Sequence, residues 1–197
     1  MIHLKFDQYY AIENEVILLR PITQEDFDNL LYFAIQEPEI WQHSLFPPNS
    51  KENLIRYINS AIKAREKEDS YPFIIYDKRT NRYAGCTRFY DIKVFHKTAG
   101  IGYTWYGKNF QGTGLNKHCK FLLLEFAFEQ MQVERIEFKV DRNNIRSINA
   151  LKSIGATPEG ILRSNYTIEN GRRDSMILSI LKNEWFDTVK SILLKKL

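Results

Sequence analysis

Tyr103-Thr-Trp-Tyr-Gly107-Lys-Asn-Phe-Gln111-Gly-Thr-Gly114-Leu-Asn-Lys117 is the stretch on which the reading of this chain turns. Residues 99–106 are apolar and aromatic and predict a strand, and glycines follow at 107, 112 and 114. Leu115, Cys119, Leu122, Leu123, Phe126 and Gln130 then fall at helical spacing, which predicts a helix over about 114–130. Loop glycines admit positive φ and the close approach of a ligand. The first helical turn presents unpaired N–H groups and the positive end of the helix dipole. Together they predict a phosphate site, with Thr113, Asn116 and Lys117 as side-chain donors. The turn lacks the Gly-Lys-Ser/Thr ending of a Walker loop, and it lacks the third glycine of the dinucleotide fingerprint.

Upstream, residues 15–20 (EVILLR) read as a first strand halted by Pro21. Thr23-x-x-Asp26 resembles a capping box, and Phe27, Leu30, Leu31, Ala34 and Ile35 form one helical face. Asn49-x-x-Glu52 opens a second helix with the stripe Leu54, Ile55, Ile58, Ala61 and Ile62. Residues 71–76 and 83–91 look like a hairpin. Downstream, Ile136, Phe138 and Val140 alternate with charged residues, as in a strand with one buried face. A short helix over about 144–154 stops at Gly155. Residues 159–168 and 175–181 make a hairpin around Asn170-Gly171, and a helical tail follows. The order β-α-α-β-β-β-α-β-α-β-β-α predicts an α+β sandwich rather than a doubly wound sheet.

Composition narrows the function classes. The 197 residues carry 28 Lys+Arg against 24 Asp+Glu, a net charge of +4 spread along the chain, without the basic stripe or module of a nucleic-acid binder. A content of 44% hydrophobic residues supports a sizeable core in what reads as a single domain over 1–197. Residues 1–10 show no basic start followed by an apolar stretch, and the apolar run 121–128 is far short of a bilayer span. The expectation is a cytoplasmic protein without membrane association. Cys86 and Cys119 read as free core thiols, and the four histidines show no ligand spacing that would predict a metal.

With this order of elements, Gln111-Gly112-Thr113-Gly114 at a strand–helix junction resembles the Gln/Arg-x-x-Gly-x-Gly/Ala signature of the GNAT superfamily of acetyl-CoA-dependent N-acetyltransferases. Leu115 and Asn116 complete it, with Asn116 standing where the pattern has Gly or Ala, as in RimJ/RimL-like members. A second segment, Asn144-Ile-Arg-Ser147 through Gly155-Ala156 to Glu159-Gly160, resembles the corresponding stretch of RimJ/RimL-type enzymes. The resemblance covers roughly residues 14–185. It implies a mixed, mostly antiparallel central sheet flanked by helices, with splayed central strands.

The resemblance also implies a site. Acetyl-CoA would lay its pyrophosphate on the amides of Gly112 to Lys117, within the signature that Gln111 opens. Its pantetheine would run as an extra strand between 99–106 and 136–140, beside Thr104, Trp105 and Tyr106. An amide of that strand would polarise the thioester carbonyl. Asn144 would meet the pantetheine, and Ser147 would donate to the leaving sulfur. Tyr166 stands where some related enzymes place a Glu base; Tyr103 and Asp91 are further candidates. An ordinary tyrosine is a poor base at neutral pH, so the expectation is a water-mediated route or an amine that enters partly neutral. Trp41, Gln42 and Tyr103 would line the acceptor site. The implied activity is acetyl transfer to a primary amine, on a protein N-terminus or on a small molecule such as an aminoglycoside or polyamine, by a monomer or homodimer. The competing reading is an acyl-CoA-binding module without turnover.

Overall fold

Alternating and doubly buried strands assemble into one eight-stranded sheet in the computed structural model, which describes residues 2–168 and 171–197. The strands are β1 (Ile12–Glu13), β2 (Ile17–Pro21), β3 (Ser70–Asp77), β4 (Arg82–Lys93), β5 (Thr98–Tyr106), β6 (Arg135–Asp141), β7 (Thr157–Ile168) and β8 (Gly171–Leu181). Their spatial order is β1-β2-β3-β4-β5-β6-β8-β7. Neighbours are antiparallel except β5 and β6, which run parallel. A parallel pair needs a long crossover, usually helical, and α3 (Leu115–Glu125) lies in it.

Register sorts the side chains onto two faces, because cross-strand partners point the same way. Tyr71, Phe73, Thr87 and Phe89 share one face, where Phe89 stacks on Phe126 just beyond α3. Ile74, Cys86 and Arg88 share the other, beneath Tyr57 of α2 (Lys51–Glu66). β4 is therefore buried on both sides from Ala84 to Phe89. The terminal segments α5 (Lys182–Glu184) and α6 (Lys190–Leu194), joined by a π turn, bring buried Trp185 against Phe121 and Phe128. No helix among the described residues is long and apolar enough to cross a membrane.

The α+β fold with its mostly antiparallel sheet is as expected, and several boundaries move. Pro21 is the last residue of β2, paired with Phe73, rather than a stop before it; Ile12–Glu13 adds a strand ahead of it. The second helix is capped by Ser50, whose Oγ accepts from the Asn53 N–H at 3.1 Å, instead of by Asn49. Asp26 does take the Thr23 N–H at 2.9 Å, but a 3-10 turn intervenes before α1 (Phe27–Gln36). The long helix ends its α geometry at Glu125 and runs to Gln130 as a π turn. Both cysteines are buried free thiols. Asn170 of the expected turn dipeptide lies outside the described residues.

Candidate functional site

The centre of the sheet is where the ladder fails. β5 and β6 pair at Thr98–Arg135, Ala99–Ile136 and Gly100–Glu137, and no ladder pair follows. The strands separate from there to Tyr106 and Asp141. On the β4 side, β5 carries a bulge between Gly102 and Trp105, centred on Tyr103 at φ 51°. A non-glycine residue in the left-handed region is a costly conformation. It turns the local peptides away from the regular ladder beside the gap.

At the open end of β5 lies the glycine turn. Gly112 and Gly114 have φ of 78° and 86°, and a Cβ on either would meet nothing within 4 Å. The backbone N–H groups of Gly112, Thr113, Gly114 and Asn116 have no partner among the described residues. Side chains hold the turn in place. Gln111 donates to the Tyr106 carbonyl at 2.8 Å and accepts from Arg146 at 2.6 Å. Thr113 Oγ1 donates to the Phe110 carbonyl, and Arg79 reaches the Thr113 carbonyl. Asn116 Oδ1 accepts from the Tyr106 hydroxyl at 3.1 Å, which accounts for an asparagine where Gly or Ala is usual. Leu115 is fully buried, so only its backbone faces the turn. Open amides, a helix N-terminus and Arg79, Lys117 and Arg146 nearby suit a pyrophosphate.

Across the gap, Asn144 caps α4 (Ile145–Ser153), its Oδ1 accepting from the Ser147 N–H at 3.0 Å. The half-buried Ser147 Oγ has no partner among the described residues. It remains available as a donor.

The face beneath α1 and α2 forms the second half of the site. Gly100 and Gly102 make room for the Tyr90 ring, since a Cβ on either would sit 2.7 Å from it. Tyr90 meets Tyr103 edge-on at 5.5 Å, and Tyr103 is 52% exposed. Burial pushes the Tyr90 phenol up, and nearby Glu137, Tyr166, Tyr103 and Asp91 add to the rise. The residues expected to supply a base or line the acceptor site thus gather here. Trp41 and Gln42 diverge. Trp41 is 5% exposed and packs edge-on against Trp105 at 4.7 Å, while Gln42 is exposed. The adjoining His43 ties this loop to the far side of the gap, to Asp141 at 3.2 Å and, through its carbonyl, to Arg173, whose guanidinium lies over the Tyr166 ring.

Two buried cations were not expected: Arg88 on β4 and Lys120 on α3. Lys120 Nζ donates to Thr104 Oγ1 at 2.9 Å, which bridges to Thr87. It has no carboxylate partner among the described residues. Burial holds its ammonium below the usual lysine range. The Lys120→Met variant is expected to be more stable by about 1–3 kcal/mol at neutral pH, because an amine that folding takes out of water is replaced by a packed apolar chain. Folding lowers this pKa, so the penalty is complete below the folded-state value and fades as pH rises toward 10.5. Urea denaturation across that window should show the gap between the proteins narrowing. A gap that stays constant or widens would contradict the lowered Lys120 pKa.

The chain resembles known proteins in sequence and in fold. The family profile described as "Acetyltransferase (GNAT) domain" matches residues 17–157. "Probable N-acetyltransferase YjcK" of Bacillus subtilis (strain 168) is 32% identical over 175 residues, covering 86% of this chain and 96% of the relative. A GCN5-related N-acetyltransferase from Brucella melitensis superposes with a TM-score of 0.89 at 20% identity, covering 100% of this chain and 90% of that one. The microcin C7 self-immunity acetyltransferase MccE, solved with acetyl-CoA and AMP, superposes with a TM-score of 0.76 at 24% identity, covering 85% and 93%.

Proposed function

The chain belongs to the GNAT acetyltransferase family, and from that premise we infer that it acts as a single RimJ/RimL-like domain transferring acetyl from acetyl-CoA to a primary amine by direct attack. One observation carries the reading: the Gly112–Gly114 turn, with its partnerless amides, opens onto the gap between β5 and β6. The amides from Gly112 to Asn116 hold the pyrophosphate. Thr104, Trp105 and Tyr106 offer strand edge to the pantetheine. Acetyl-CoA supplies the activated acyl group; the residues orient it and move protons.

The bulged backbone around Tyr103 and Thr104 lies where an amide would polarise the thioester carbonyl. Asn144 contacts the pantetheine, and Ser147 Oγ protonates or hydrogen-bonds the departing sulfur. Tyr166, Tyr103 and Asp91 border the entry of the amine and order the water that carries its proton away. Gln42 and Tyr103 supply the exposed part of the acceptor wall, and Trp41 positions it from beneath.

Calorimetric titration with acetyl-CoA, followed by thiol release across a panel of amines, tests the reading. Acceptor-dependent thiol release supports it; binding without release points to a carrier module, and no binding refutes both. For the donor role, Ser147→Ala is expected to lower kcat about 10–100-fold while acetyl-CoA affinity changes less than threefold. An unchanged kcat would remove Ser147 from the chemistry.

A further inference from the structure

Arg88 is a buried cation that the protein itself does not neutralise. It is 6% exposed, no salt bridge reaches it among the described residues, and its side-chain contact is with the uncharged Tyr57 phenol. Its Nε is a buried donor without a partner. The contrast lies within the same fold: Arg20 is clamped by both oxygens of Asp26, and Arg135 by Glu159 and Glu137. Burying a guanidinium without a counter-charge is expensive.

Two rings hold Arg88 in place. Its guanidinium lies over Tyr57 at 5.4 Å and over Tyr103 at 4.1 Å. The rings leave Nε unpartnered and put no carboxylate on the guanidinium's fork of N–H donors. That fork matches a carboxylate in two parallel hydrogen bonds. The position is equally specific. Arg88 pairs across the ladder with Gly102, next to the bulge at Tyr103, on the face shared with Tyr90 and Trp105. Three further buried polar atoms without partners border the same side of the sheet: Trp41 Nε1, Arg173 Nε and Ser175 Oγ.

We propose that Arg88 is an anion-binding residue of the acceptor site, and that the acceptor is a primary amine that also carries a carboxylate. The assignment rests on the acetyl-transfer reading for the amine and on Arg88 alone for the carboxylate. Tyr103, over half exposed, gates the approach. The carboxylate has two sources, a free amino acid or the acidic first residue of a peptide.

The test compares each acid with its own amide. Amino acids of increasing chain length are set against their carboxamides. Peptide amides beginning with Asp or Glu are set against those beginning with Asn or Gln. Turnover by the wild-type protein is expected to favour the acid about 100-fold in kcat/KM in one of the two sets, which identifies the source. Arg88→Gln should abolish that preference through KM, leaving the amide's turnover and the acetyl-CoA affinity within threefold. Arg88→Lys, which keeps a charge but loses the fork, should retain about a tenth of the preference and serves if the Gln variant does not fold. Titration of the CoA-loaded protein with the same pairs reads binding without chemistry. Selective acid binding lost in Arg88→Gln, with no transfer to any amine, would uphold the anion site and refute the acetyl-transfer reading. Equal treatment of acid and amide by the wild-type protein, or a preference that survives Arg88→Gln, overturns the proposal.

Discussion

Gly114→Val is expected to weaken acetyl-CoA binding by more than 100-fold while the protein remains folded. Gly114 caps α3 from the left-handed region, at φ 86° and ψ −16°. A β-branched residue there is strained by about 1–3 kcal/mol wherever its side chain lies. The added Cβ would meet no protein atom, so the fold survives the substitution. The space it enters borders the open amides, where a phosphate oxygen would have to approach the backbone. The predicted result is a midpoint of thermal unfolding lowered by about 2–10 °C together with loss of the calorimetric binding signal. Gly114→Ala should fall between the two proteins. Wild-type affinity in the valine variant would move the pyrophosphate elsewhere.

Asp26→Asn should produce the largest loss of stability among conservative changes, about 3–5 kcal/mol. Asp26 is fully buried and receives both Arg20 nitrogens, at 2.6 and 2.9 Å, the Asn29 amide at 3.0 Å and the Thr23 N–H at 2.9 Å. Asparagine keeps the shape and removes the charge, leaving the Arg20 guanidinium without its counter-ion. Burial alone would raise the Asp26 pKa, but the hydrogen bonds from Arg20, Thr23 and Asn29 outweigh it and hold the carboxyl below its ordinary 3.8. A depressed carboxylate contributes its full stability above the unfolded-state pKa and loses it as pH falls through the folded-state value. The deficit of the variant should therefore be constant near neutrality and shrink below about pH 4. Denaturant titrations at several pH values check both statements. A loss under 1 kcal/mol at pH 7 would show that Arg20 finds water instead.

The same residue illustrates how far the sequence could be read. Thr23-x-x-Asp26 announces a helix start, and Asp26 does accept the Thr23 N–H. Its pairing with Arg20 depends on β2 delivering that side chain to the turn, which spacing along the chain does not reveal. The glycine turn was fully legible, because positive φ at Gly112 and Gly114 is a requirement that only a few residue types meet. The sheet was legible in part: alternation marked Ile136 to Val140 and turns marked the hairpins, but Ile12–Glu13 is too short to show a pattern. The cap at Ser50 was missed by one position because Asn49 and Ser50 are both good N-caps. Arg88 and Lys120 were hidden for a different reason. A strand buried on both faces shows no alternation for a charge to violate, and a lysine beside an apolar helical stripe looks like its solvated border. Their importance comes from what surrounds them in space. Arg88 interrupts a run buried from Ala84 to Phe89, and that interruption is the one signal the sequence held.

The parting of β5 and β6 has a consequence beyond ligand placement. Proteins blunt the outer edges of their sheets with charges, bulges or short strands, because an unpaired row of N–H and C=O groups recruits foreign strands. Here two such rows, along 101–106 and 138–141, lie in the middle of the sheet, and three ladder pairs at one end join β5 to β6. A ligand that lies along the gap shields both rows and, by binding the folded state alone, stabilises it by about 2.7 kcal/mol at a hundredfold excess over its Kd. On the acetyl-CoA reading proposed above, resistance to aggregation is expected to follow the supply of thioester, because the chain without it exposes a template for self-association.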